Sequence, residues 1–161
     1  MRFWVLVWIA VLSNPAFALT CLPRSVEAAY QTAASSDDPY IIVHGTLSFD
    51  EALLPGEDVD NQAAIPDVTR IPARMQGHSL SRAGFKTPFD RPVTLVAQCF
   101  GPWCAGAKSG IAYLAFLKKD EGGYELWQGP CGGAGFAEPE ARVLKRVRRC
   151  FRGGVCRPKT R

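Results

Sequence analysis

Two stretches of helical spacing, one near each end of the chain, bracket a middle made of short β-type runs. Val26, Ala29, Tyr30 and Ala33 recur at three- and four-residue intervals, which predicts a short amphipathic helix over residues 26–34. Ser25 stands where a side-chain oxygen can accept from the first unpaired N–H groups, and Asp37-Asp38-Pro39 stops the run. Residues 40–49 are rich in β-branched and aromatic types and read as a strand, with Gly45 expected to mark a bulge or bend. Residues 50–67 hold Pro55-Gly56, several acids and no period, which predicts a long loop. A second strand is expected over residues 68–76, confined by Pro72 to an edge or a bulged position, and residues 77–87 read as a Gly- and Ser-containing loop.

Residues 93–100 and 111–117 are further strands, and Asp120-Glu121-Gly122-Gly123 is a hairpin turn into a strand at residues 124–127. Strands joined at such short intervals predict an antiparallel barrel or sandwich, and a closed or partly closed barrel is the economical solution. Trp103 and Trp127 are expected in its core. Glu138-Pro139 is placed to open the last helix, because a proline in the first turn lacks an N–H that has no partner there anyway. Val143, Leu144, Val147, Cys150 and Phe151 form one apolar stripe, expected to pack on the barrel, and Gly153-Gly154 ends the helix.

The start of the chain changes the picture from fold to compartment. Met1-Arg2 is positive, residues 3–12 are apolar, and Ala16-Phe17-Ala18 offers the small residues a signal peptidase needs. Residues 1–18 are therefore expected to be a signal peptide, leaving 143 residues: a single domain over residues 19–152 and a basic tail over 153–161. The apolar run is too short to span a hydrocarbon core of about 30 Å, and nothing later approaches about 20 consecutive apolar residues, so no transmembrane anchor is expected. The mature product reads as soluble and exported, periplasmic or extracellular. All six cysteines follow the signal, and an even count in an oxidising compartment predicts three disulfides. Cys99 with Cys104 and Cys150 with Cys156 can each close a small loop, which leaves Cys21 with Cys131; six cysteines nevertheless allow 15 connectivities.

Charge is divided unevenly. Residues 19–141 carry nine Lys or Arg against fifteen Asp or Glu, whereas residues 142–161 carry nine Lys or Arg and no acid. Arg142, Lys145, Arg146, Arg149 and Arg152 lie mostly off the apolar stripe of the last helix and are the candidate partner-binding residues, together with the loops at 50–67 and 77–87. A cationic block attracts anions through a field that salt weakens, so the expected partner is another exported protein or an anionic surface. Nucleic acid is not expected after export.

Candidate chemistry is sparse. The mature chain has two histidines, His44 and His78, in no spacing that makes a metal site, and no metal or cofactor is expected. His78, a nearby serine and Asp90 contain the residue types of a nucleophilic triad, but no Gly-x-Ser-x-Gly elbow holds a serine exposed. Cys99 and Cys104 are separated by four residues rather than the two of a thiol oxidoreductase, with no helix signature after Cys104, which favours a structural bridge. The expected function is that of an exported, non-enzymatic binding module, with a small thiol-redox enzyme or hydrolase as the less favoured alternatives.

Cys21, Ala28-Ala29-Tyr30, Val43-His44-Gly45-Thr46-Leu47, residues 113–117 with Tyr124, and Cys131 followed by Phe136 come in an order that resembles the netrin-like module, the OB-type barrel of the tissue inhibitors of metalloproteinases. The resemblance spans most of residues 21–150. It implies a mainly β fold with flanking helices: an OB-like (netrin-like) antiparallel barrel with a short N-terminal helix, a C-terminal amphipathic helix and disulfide staples. It implies a link from Cys21 to the cysteine after the last hairpin or to one in the barrel. It also implies metalloprotease inhibition as an alternative function. Those inhibitors place a free N-terminal cysteine amine on the protease zinc, whereas cleavage after Ala18 leaves Leu19-Thr20 ahead of Cys21, and Pro23 stands where the family has a second cysteine.

Overall fold

The computed structural model describes residues 20–22, 24–56 and 64–158. The expected signal peptide, residues 57–63 of the expected loop and the last three residues of the tail lie outside them. The elements in chain order are α1 (Val26–Ala34), β1 (Tyr40–Phe49), a 3-10 turn (Glu51–Leu53), β2 (Val68–Ser81), β3 (Gly84–Phe100), β4 (Trp103–Cys104), β5 (Ile111–Asp120), β6 (Gly123–Gly129), β7 (Gly132–Gly133), β8 (Gly135–Ala137) and α2 (Ala141–Phe151). The sheet runs β4-β3-β2-β1-β5-β6-β7 with β8 on β5, and its pairs are antiparallel except one. That exception is β3 with β6, parallel from Thr94↔Glu125 to Ala97↔Gln128. The pairings β1 to β2, β2 to β3, β3 to β6, β6 to β5 and β5 back to β1 therefore form a cycle.

Period-two alternation sorts the strand side chains into two cores. Val43, Leu47, Ile71, Met75, Leu95, Leu117 and Leu126 form the inner one. Ile42, Leu80, Leu114 and Phe116 point to the other face and are covered by Val26 and Ala29 of α1 and Val147 of α2. Strand β5 is buried on both faces, which is why residues 113–117 are continuously apolar instead of alternating. The apolar stripe of α2 packs as expected through Val143, Leu144, Val147 and Cys150, beside α1 and over the sheet, while Phe151 at its end is 36% exposed.

Two expectations are corrected by the register and one is met. Strand β2 pairs with β1 on one side and β3 on the other from Ala73 to Ser79, whereas Val68–Pro72 pair with β3 alone, so Pro72 occupies the edge position expected of it. Pro72 is tolerated because pairing with β1 reaches no further than Phe49↔Ala73, its neighbour in the chain, so no ladder bond to β1 is asked of its missing N–H. Residues 77–87 are not a loop: β2 and β3 continue through them as one long hairpin with Arg82 and Ala83 at the turn. Gly45 marks no bulge, since its pairing with Gly77 and Tyr113 is unbroken, and the shift in the β2–β3 register falls at Ser79/Leu80.

Gly45 has a different role. It faces Gly77 across the ladder, and a Cβ at either position would lie 2.3 Å from a backbone carbonyl oxygen, of Gln76 for one and of His44 for the other. The two main chains are in contact, and no flexible side chain can give way. Gly77→Ala is expected to destabilise the protein by about 2 to 3 kcal/mol, the upper part of the overpacking range, read as a lower urea midpoint. An unchanged midpoint would contradict this account of the glycine pair.

Two further details differ from the sequence reading. Helix α2 begins at Ala141 with Glu140 as its N-cap, so Pro139 precedes the helix; the chain is held there by the Glu138 N–H donating to the Ala112 carbonyl at 2.7 Å. Trp103 and Trp127 are half-buried rather than core residues.

Three cysteine pairs are disulfide-bonded, Cys21–Cys131, Cys99–Cys104 and Cys150–Cys156, and no cysteine is free. The last pair folds the chain back after α2, where Gln31 Nε2 donates to the Cys156 carbonyl at 2.7 Å and fixes the start of the tail against α1.

Candidate interaction surface

The cations of α2 do not act as one set. At about 100° per residue, Lys145, Arg149 and Arg152 lie opposite the apolar stripe, with Arg142 beside them, while Arg146 and Arg148 sit on its two flanks. Neighbours decide what each flank does. Arg146 faces α1, where its Nε donates to Glu27 Oε1 at 2.5 Å and its Nη2 to Glu27 Oε2. Glu27 is 1% exposed. The hydrogen bonds from Arg146 hold the Glu27 carboxyl below its usual range against the opposing effect of burial, and Glu27 in turn raises the Arg146 guanidinium. Arg146 thus docks α2 on α1, while 28% of its side chain stays exposed.

Arg148, on the other flank, was not singled out by the sequence. It is exposed, and its guanidinium lies over Gly84 at the start of β3. Arg152 donates through Nε and Nη2 to the Arg82 carbonyl at 3.2 and 3.0 Å, which brings exposed Arg82 of the hairpin turn to the same face. Arg142 pairs with Glu140 in an exposed bidentate contact at 2.7 Å. Lys145, Arg148 and Arg149 are exposed and have no carboxylate partner among the described residues. Arg142, Lys145, Arg148, Arg149 and Arg152 line a groove of about 920 Å3 along this face, and Arg146, though paired with Glu27, reaches its wall as well. Arg82 was missed because its approach depends on the length of the β2–β3 hairpin, which the prolines at 72, 88 and 92 disguise.

The other sequence candidates fall elsewhere. At the base of the long loop, Asp50 accepts from the Ala52 N–H at 3.0 Å, within the loop, and Glu51 from the Ser109 N–H at 2.5 Å, which ties the loop to the segment before β5. His78 lies on β2 opposite His44 and Pro88, and no hydrogen bond among the described residues joins it to Asp90 or a serine. Asp90 accepts from Arg74 Nε at 2.7 Å, and Ser79 and Ser81 donate to the carbonyls of Thr87 and Gly84. His44 packs edge-on to Phe85, with its imidazole pushed below the ordinary range by burial and then by His78. Cys99 and Cys104 are bonded to each other across the short pairing of β3 with β4.

Among the described residues no three His, Cys, Asp or Glu side chains converge on a metal-sized site, and no helix is long and apolar enough to cross a membrane. Comparison with protein-family models, with curated proteins and with solved structures finds no match to this chain.

Proposed function

We propose that the protein is an exported, non-enzymatic binding module, built on an OB-type, netrin-like barrel, that engages an anionic partner through the exposed cations of α2. The observation that carries the reading is the group Lys145, Arg148 and Arg149, held on one helix without acidic partners among the described residues and joined by Arg152 and Arg82. Uncompensated charge of one sign on a fixed scaffold raises the local concentration of the opposite charge and steers its approach. The barrel is supported by the cycle of strand pairings with its one parallel closure, which is the connectivity a five-stranded OB-type barrel requires. Export is supported by the three disulfides and by the signal-like residues 1–18.

The test is salt-dependent retention on immobilised dextran sulfate as a model anionic surface. Lys145→Glu/Arg148→Glu/Arg149→Glu is expected to elute at well under half the salt concentration of the wild type. A control with the same change in net charge, Lys86→Glu/Lys108→Glu/Lys119→Glu, is expected to elute close to the wild type. Equal loss in both variants would show that net charge alone matters and would remove α2 from the account.

A further inference from the structure

A carboxylate is buried on the outer side of the sheet, away from both cores. Leu95 and Leu126 point into the inner core, so their neighbours Thr94, Val96, Glu125 and Trp127 point outward, in register with Pro72 and Arg70 of β2. Glu125 is 5% exposed, and both of its oxygens are used: Oε1 accepts from Arg70 Nη1 at 2.5 Å and Oε2 from Trp127 Nε1 at 2.7 Å. Two charge-assisted or indole donors on one buried carboxylate fix the Arg70 guanidinium in place. The Arg70 side chain is still 55% exposed, so donors remain on its open side.

That open side faces a cavity of about 510 Å3, within the size range of small-molecule sites. Pro72, Pro92 and Tyr124 give it apolar walls, and Arg70 and Arg91 give it two guanidinium groups. The Tyr124 ring is held edge-to-face on Phe89 at 5.2 Å, so that wall is rigid. Glu125 balances the charge of Arg70. Arg91 has only the Asp90 carbonyl, at 3.3 Å, and no carboxylate partner among the described residues. Arg91 is thus the cation of this cavity that no acid pairs among the described residues. Asp120, which lines an adjoining cavity of about 250 Å3 together with Arg70, Thr94 and Tyr124, opposes a second negative charge.

The geometry points to this cleft between β2, β3 and the β5–β6 turn as a binding site for a small organic monoanion. Arg70 and Arg91 both line the cleft and are the cations that can meet the acid group, and a flat apolar body lies between Tyr124 and the two prolines. This site is separate from the α2 surface and does not depend on it. The buried Glu125 is its positioning residue, since it orients Arg70 and is itself covered.

The probe is 1-naphthoate, with 1-naphthalenemethanol as its uncharged counterpart, titrated into the disulfide-bonded protein by calorimetry. Saturable one-to-one binding of the acid is expected, with the alcohol at least about tenfold weaker. Arg91→Gln is expected to weaken the acid about tenfold or more at unchanged melting temperature, because Arg91 is exposed and makes no side-chain contact that the fold uses. Lys145→Glu/Arg149→Glu is expected to leave the affinity unchanged. Equal binding of acid and alcohol, wild-type affinity in Arg91→Gln, loss in the α2 variant, or no saturation below about 5 mM would each overturn the assignment.

Discussion

Arg146→Ala is expected to cost about 3 to 5 kcal/mol of folding stability, because it leaves the Glu27 carboxylate buried against α2 with no counter-charge. The pair joins the two helices that cover the outer core, so the loss should appear as a lower denaturant midpoint in a single cooperative transition. Lys145→Ala, one residue away and exposed, is expected to stay within about 0.5 kcal/mol of the wild type. Removing both partners as Glu27→Met/Arg146→Met should recover most of the loss, since a buried ion pair replaced by apolar groups of similar size is often close to neutral. The sign of the pH effect follows from Glu27, whose carboxyl is depressed in the folded protein. Its contribution is complete above the unfolded value of about 4.3 and is lost as pH falls through the folded one. The wild type should therefore lose stability below about pH 4 by an increment that the double methionine variant lacks. A cost under about 1 kcal/mol for Arg146→Ala would return that arginine to the solvent-facing set.

Removing the Cys21–Cys131 bridge as Cys21→Ser/Cys131→Ser is expected to cost about 4 to 5 kcal/mol, because in the chain-entropy model the denatured state then regains the freedom of a 110-residue loop. The separations of 5 and 6 residues at Cys99–Cys104 and Cys150–Cys156 predict about 2 kcal/mol each. The order is checkable by urea denaturation of the three double-serine variants at equal protein concentration. A larger loss from either short bridge would mean that local geometry, and not chain entropy, sets the contribution.

Elements governed by local chemistry were legible. Ser25 caps α1 by accepting from the Ala28 N–H at 3.1 Å, and the bounds of α1 and β1 follow from the spacing and composition of their own residues. The three cysteine pairs could be chosen by reach, because two of them needed only short loops. The β2–β3 hairpin was hidden because its prolines satisfy a condition set by distant strands: Pro72 lies just past the end of β1, which the local sequence does not record. Gly45 reads as a defect until Gly77 is placed opposite it. The candidate interaction surface was half legible for the same reason. Lys145, Arg149 and Arg152 face outward on any docking of the helix, whereas Arg146 and Arg148 occupy equivalent flanks, and only the position of Glu27 on α1 draws one of them inside. Arg70, Glu125 and Trp127 come together across strands far apart in the chain and carried no sequence signal.

The proposed contact with an anionic partner runs through the outward cations of α2 and not through Arg146. Arginine footprinting with phenylglyoxal, read by mass spectrometry on the disulfide-bonded protein with and without dextran sulfate, tests it residue by residue. Arg148, Arg149 and Arg152 are expected to react in the free protein and to be protected in the complex, Arg70 and Arg91 to react equally in both, and Arg146 to be slow in both because Glu27 holds it. Protection confined to Arg70 and Arg91, or an Arg146 that reacts freely and becomes protected with the rest, would contradict the proposed contact.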